Sequence, residues 1–193
     1  MKLNLNFRTL AFSVYIVLLP IAAYCQGGDK GSLQYLLASN GFGQIKLGAD
    51  LKVLDKGKMD YLDGVDSLDE DSCYKFCYKD EKIMHMAKDL DLDLVGFRTY
   101  KNKIVNIYLF FPRAYGYALL QEFEASYGKY TNASGSFMYD WKTSGVTLSL
   151  RYNPIVDMGV AIFTSNNIEK QLATDNNQRK ARETQQKNLL GSL

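Results

Sequence analysis

Residues 92–112 read LDLVGFRTYKNKIVNIYLFFP, and this stretch decides the fold. Two runs rich in β-branched and aromatic residues, Leu92–Thr99 and Ile104–Phe111, flank the short polar segment Tyr100-Lys-Asn-Lys103. That arrangement predicts a β-hairpin. Pro112 ends the second run and can open a helix, because the N–H it lacks has no partner in a first helical turn. Leu119, Leu120, Phe123 and Tyr127 then share one helical face, and Gly128 supplies a terminator.

The pattern extends in both directions. Downstream, Phe137–Trp141 and Val146–Tyr152 flank Lys142-Thr-Ser-Gly145 as a second hairpin; Pro154 interrupts, and Val160–Thr164 completes the sheet. Upstream, Leu33, Leu36 and Leu37 give Leu33–Ser39 helical spacing, stopped by Asn40-Gly41. Phe42–Gly48 alternates as a strand through Ile45 and Leu47, and Asp50 can cap a short helix carrying Leu51 and Leu54 and ended by Gly57. Sequential hairpins with helices between them predict an α+β fold, an antiparallel sheet of hairpins with helices packed on one face. Strand-then-helix occurs at Ile45–Asp50 and again at Ile104–Tyr127, a weak internal echo.

The first 25 residues carry an address. Lys2 and Arg8 precede an apolar run from Leu10 to Ala23, which closes on Ala23-Tyr24-Cys25 before Gln26. A basic start, an apolar middle and small residues spaced by one form a secretory signal peptide. The run is short for a permanent span, so no transmembrane helix is expected once the signal is removed. Two exits are open: cleavage after Cys25 leaves a periplasmic or secreted chain beginning at Gln26. Lipidation of Cys25 would instead anchor an outer-membrane lipoprotein, a route that normally wants a small residue where Tyr24 stands. The expected organisation is 1–25 signal, 26–40 linker and short helix, 41–165 α+β domain, and 166–193 a polar tail, helical or disordered. In that tail Ile168 and Leu172 begin an amphipathic pattern that Asp175–Gln178 dilutes, too briefly for a coiled coil.

Composition narrows the partners. Lys and Arg total 23 against 21 Asp and Glu, so no general polyanion surface and no nucleic-acid partner are expected. Tyrosine is plentiful at 14 residues, while Trp141 stands alone. Tyrosines on strands suit half-buried sheet positions with a wet hydroxyl end; a carbohydrate- or peptide-binding face is the sharper reading.

Ile45-x-Leu47-Gly48-x-Asp50 followed by Val53 resembles the opening of small outer-membrane-assembly lipoproteins of the BamE/SmpA-like type, where a strand runs through glycine into a capped helix. Tyr127-Gly128 with Tyr139-x-Trp141 and Val146-x-Leu148 looks similar to uncharacterised exported α+β proteins of Bacteroidota. The resemblance implies a non-enzymatic envelope protein.

Few residues offer chemistry. Cys73–Tyr78 alternates Tyr74, Phe76 and Tyr78 with Cys73, Lys75 and Cys77, the period of a strand with an aromatic face. An oxidising compartment favours a Cys73–Cys77 disulfide, yet a strand sets such positions about 13 Å apart, beyond the roughly 7 Å limit of a disulfide. The strand and the bond exclude each other. A second option is a soft-metal site: Cys73 and Cys77, with Met84, His85 and Met86 nearby, form a ligand set suited to Cu(I). Asp60, Asp63 and Asp66 lack the alternation and terminal glutamate of a calcium loop, and Gly41-Phe-Gly43 lacks the pattern of a phosphate loop. No Gly-x-Ser-x-Gly elbow is present; Asp140 beside Trp141 leaves a carboxylate-dependent hydrolase open. The leading expectation is therefore a non-catalytic binding or assembly module of the cell envelope, with no cofactor and with an envelope protein, peptide or glycan as partner. Tyr100 at a hairpin tip and Tyr139 and Trp141 on the next hairpin are its candidate exposed binding aromatics. A copper or thiol-redox protein and a hydrolase are the alternatives.

Overall fold

The computed structural model describes residues 28–61, 73–87, 90–152 and 157–190. Residues 1–27, which include Cys25, residues 62–72, with Asp63 and Asp66, and Pro154 lie outside the described residues. Eight strands form the main sheet: β1 (Met59–Tyr61), β2 (Cys73–Tyr78), β3 (Leu94–Tyr100), β4 (Lys103–Pro112), β5 (Asn132–Ala133), β6 (Met138–Lys142), β7 (Val146–Tyr152) and β8 (Met158–Ser165). Their spatial order is β1-β2-β3-β4-β8-β7-β6-β5, and all neighbours are antiparallel. Each half of the sheet is thus a meander running from an outer edge to the centre, and the halves meet where β4 pairs with β8. The helices are α1 (Leu33–Ser39), α2 (Glu81–Met84), α3 (Gly116–Tyr127) and α4 (Asn166–Leu190).

The 92–112 segment forms its expected hairpin. Lys101 and Asn102 close it with φ of 49° and 62°, the mirror-image two-residue turn whose twist matches that of the flanking strands. The register then shifts between Arg98 and Thr99, leaving Val105 as an extra residue on β4.

Alternation sorts the sheet into two faces. Phe97, Ile107, Phe163, Leu148 and Trp141 stand in register across β3, β4, β8, β7 and β6, and none is more than 1% exposed. Burying each contributes about 2 kcal/mol of transfer free energy. On this face α3 sets Phe123 edge-on to both Trp141 and Phe163, at 5.8 and 6.2 Å between ring centroids. Helix α1 lies alongside, with Leu36 fully buried and Tyr35 stacked on Tyr127. Gly128 ends α3 at φ 78°, where a Cβ would lie 2.7 Å from the carbonyl oxygen of Gly31; the two segments could not approach so closely with any other residue.

The opposite face carries a polar row. Arg98 Nε donates to Asn106 Oδ1 at 2.8 Å, and Asn106 Nδ2 donates to Thr164 Oγ1 at 3.0 Å. Helix α4 crosses this row: Arg98 Nη2 donates to Glu169 Oε2 at 2.5 Å, and Ile168 and Leu172 pack with Tyr100 and Val105. Helices therefore occupy both faces, whereas the sequence suggested one. The tail is helical through Leu190, and its first turns are docked because Ile168 and Leu172 find an apolar seat at the hairpin end.

Three local expectations also change. Phe42–Gly48 divides into a small ribbon, Gly41–Phe42 paired with Ile45–Lys46. Asp50 caps only a 3₁₀ turn, Leu51–Val53, because Asp55 accepts from Gly57 N at 2.9 Å and starts a second turn, Lys56–Lys58. Gly57 consequently lies inside that second turn. The acidic run 60–71 reads in sequence as a surface loop, but Asp60 belongs to β1 and forms an ion pair with Lys79.

Candidate functional site

Two of the three aromatics chosen from sequence are interior. Trp141 is fully buried, and its Nε1–H donates to the Gly128 carbonyl at 2.7 Å, the group left open where α3 stops. Tyr100 is covered by α4; its hydroxyl donates to Asp175, and burial followed by that carboxylate pushes its pKa up. A hairpin tip reads as exposed, but here a later helix lies over it. Tyr139 alone stands at a margin, half-buried, with its hydroxyl donating to the Ser136 carbonyl at 3.2 Å. The three do not form one surface.

Tyr139 leads to the surface that does exist. Its ring stacks on Tyr152 (6.1 Å), and Tyr152 meets Phe137 edge-on at 5.2 Å. Two hollows adjoin at Phe137 and Tyr152. One, of about 220 Å³, is bordered by Ser134, Ser136, Met138 and Arg151; the other, of about 560 Å³, by Pro112, Arg113, Tyr117 and Asp157. Together they make an open trough at the end of the sheet remote from the Lys101–Asn102 turn.

The chain builds this trough by local rules. Pro112 ends β4, a 3₁₀ turn at Arg113–Tyr115 redirects the backbone, and α3 begins at Gly116. This places Tyr117 in the first turn of α3, off the face made by Leu119, Leu120, Phe123 and Tyr127, where it is 65% exposed. Arg113 N donates to the Asp157 carbonyl at 2.9 Å and joins the start of the helix to the entry of β8. Tyr152 lies beneath, 8% exposed, and burial followed by its hydrogen bond with Tyr139 raises its pKa to about 12. The floor is neutral throughout the physiological range. Tyr117, Phe137 and Tyr152 were not among the sequence candidates; the legible signal was that Tyr117 falls outside the apolar face of its helix.

Asp140 does not resemble a catalytic acid. It is 7% exposed, accepts from Ser149 Oγ at 2.8 Å and from the Arg151 guanidinium, and has Lys142 Nζ 3.7 Å away. Burial pushes its pKa up, but Ser149 and the two cations outweigh burial and hold it below the usual carboxylate range. A carboxylate so paired is an ionised counter-ion on the sheet, and it has no proton to give near neutral pH.

The sulfur residues are not gathered into one site. Cys73 and Cys77 lie on β2, so their Cα atoms are about 13 Å apart, too far for a disulfide or for one shared ion. Cys77 is free and buried, its thiol pushed up by burial and then by Asp60. Met84 and Met86 pack against the core, while His85 is exposed with Nδ1 2.5 Å from Asp91 Oδ1. Among the described residues no group of three His, Cys, Asp or Glu is placed to hold a metal ion.

In comparisons with known proteins, the chain matches no family model, no curated protein and no solved structure. Among the described residues, no helix is long and apolar enough to cross a membrane.

Proposed function

We propose that this chain is an exported, non-catalytic binding or assembly module of the cell envelope, and that its partner is received in the trough over Tyr152. The observation that carries this reading is Tyr117, a large ring 65% exposed at the edge of a concave surface whose floor is aromatic. Concave, mainly apolar sites with a few polar groups at the margin are the usual form of a binding site. The basic-then-apolar N-terminal pattern supports export, and the strand–glycine–capped-turn resemblance at Ile45–Asp50 supports an envelope role.

Photo-crosslinking tests the site. A benzoylphenylalanine at Tyr117 in cells should give a discrete crosslinked species that the same probe at Val53 does not; Val53 is 68% exposed and outside the trough. Identical patterns from both positions would remove the trough as the binding site.

A further inference from the structure

We infer that the partner enters as an extended peptide, which adds a strand to the outer edge of β5 and sets apolar side chains into the trough; this rests on the trough being the binding site. The backbone of β5 supplies the first argument. Ala133 stands opposite Tyr139 and Asn132 opposite Asp140, and Ser134 N donates to the Met138 carbonyl at 3.0 Å. In an antiparallel ladder, pairs that exchange hydrogen bonds alternate with pairs that do not. Ser134 with Met138 is a bonded pair, so Ala133 falls at an unbonded one and turns its N–H and C=O away from β6. Among the described residues no strand lies beyond β5, and neither group has a hydrogen-bond partner. An outward donor and acceptor on one extended residue recognise another peptide backbone.

The chain around that edge does not guard it. Thr131 to Ser136 are all exposed and include no charged residue and no proline, the usual means of blunting an edge. The opposite outer strand, β1, contains Asp60 and follows Lys58. A Cβ built on Gly135 would meet nothing within 4 Å, so the space beside the turn is open.

β5 also points at the trough. The residues that follow it, Ser134 to Ser136, border the smaller hollow with Phe137, Met138 and Tyr152. At about 220 Å³ this hollow is smaller than the roughly 300 Å³ at which small-molecule sites begin, and it suits one side chain. Arg151 in its wall already donates to Asp140 and to the Tyr139 and Leu150 carbonyls, which leaves an apolar lining. Alternate side chains of a strand share a face and stand about 6.6 Å apart, so a second one reaches the adjoining hollow beside Tyr117. The expected ligand is an extended segment with two apolar residues separated by one.

Selection of a displayed library of random dodecapeptides on the purified mature chain tests this. Binders should carry the apolar-x-apolar pattern and weaken in Phe137→Ala and Tyr117→Ala. Their Kd, read by fluorescence polarisation, should rise at least about tenfold in Ala133→Pro, which removes the outward N–H, and hold in Ala133→Ser, which keeps it. The melting temperature of Ala133→Pro should stay in place, because that N–H serves no bond within the fold. An N-methyl scan of the peptide reads the same contact from the ligand: one amide should be intolerant and its two neighbours tolerant. Binders lost in Tyr117→Ala but indifferent to Ala133→Pro and to every N-methyl group overturn strand addition while the trough stands. Binders that need Ala133 but neither Tyr117 nor Phe137 take the side chains out of the trough and also overturn the proposal. A selection that yields no binder overturns it as well, and crosslinking from Tyr117 then decides separately whether the trough is the site.

Discussion

Gly116 lies flat against the ring of Tyr152: a Cβ added to the glycine would sit 2.6 Å from two of the ring carbons. The backbone at Gly116 is ordinary right-handed helix, φ −54° and ψ −43°, so the glycine serves the contact and not the conformation. Gly116→Ala should therefore destabilise the protein by about 2 kcal/mol through overpacking, despite the better helix propensity of alanine. Chemical denaturation reads the loss, and crosslinking from Tyr117 should weaken in parallel because the trough floor has moved. A stabilised Gly116→Ala variant would show that Tyr152 can yield.

Trp141 joins sheet and helix through its Nε1–H on the Gly128 carbonyl. Trp141→Phe removes part of a fully buried ring and leaves that carbonyl without its donor, an expected cost of about 3 kcal/mol. The midpoint of urea unfolding should fall with its slope unchanged. An unaltered midpoint would place the indole outside the packed core.

Acid should act through carboxylates that folding keeps ionised. Asp140 is held down against its burial by Ser149 and Arg151, Asp80 chiefly by Lys58, and Asp175 by Lys101 and Tyr100, each from an ordinary value of 3.8. Depressed folded-state values mean that the unfolded chain binds more protons, so this stabilisation is complete above about pH 5 and drains away as pH falls through the folded values. Stability should be flat from about pH 7 to 5 and drop below about pH 4. Asp140→Asn should flatten part of that acid limb. An unchanged acid limb would mean that Asp140 keeps an ordinary affinity for protons.

Cys77 should resist alkylation in the folded protein at about pH 8, since burial raises its pKa and blocks access, and should react once guanidinium is added. Peptide mass mapping of the alkylated chain with and without guanidinium separates Cys77 from Cys73 and reads the result. Prompt labelling of folded Cys77 would contradict its place in β2. The same spectra check for the expected start at Gln26 against a lipid on Cys25.

Helix α4 spans 25 residues, and Tyr100 and Lys101 hold it at Asp175. The remainder runs about 22 Å at 1.5 Å per residue, mostly exposed and with no amphipathic stripe. Such a length is marginal as an isolated helix. Amide exchange should be fast beyond Asn177, and a stop codon there should change stability by less than about 0.5 kcal/mol. Slow exchange through Lys187 would require a partner for that surface.

The sheet was legible because both hairpins carry their instructions locally. Alternation in 92–111 and in 137–152, together with Pro112 and Gly128, suffices to place four strands within a residue or two and the end of α3, although a 3₁₀ turn delays the start of that helix to Gly116. What lies over them was not legible. Docking of α4 on Tyr100 depends on Ile168 and Leu172 meeting residues some seventy positions earlier, and no local period records that encounter. The same limit misled the choice of binding aromatics. Alternation says that Trp141 and Tyr139 point to one face; only the arrival of α3 decides that Trp141 is sealed and that the face opens farther out, at Phe137. The trough joins pieces of α3, β6, β7 and the approach to β8, each ordinary by itself.

The seam between β4 and β8 has a consequence for how the chain assembles. Each meander can zip from its own turns, since its strands are neighbours in sequence as well as in space. The seam cannot: Ile107 waits for Phe163, and the loop that must close between them contains all of α3 and the second hairpin. The slow step is therefore the meeting of two preformed halves. A newly made chain shows the exposed central edge of its first half until the last strand emerges. Substitutions at Ile107 or Phe163 would lengthen this interval before they altered the finished fold.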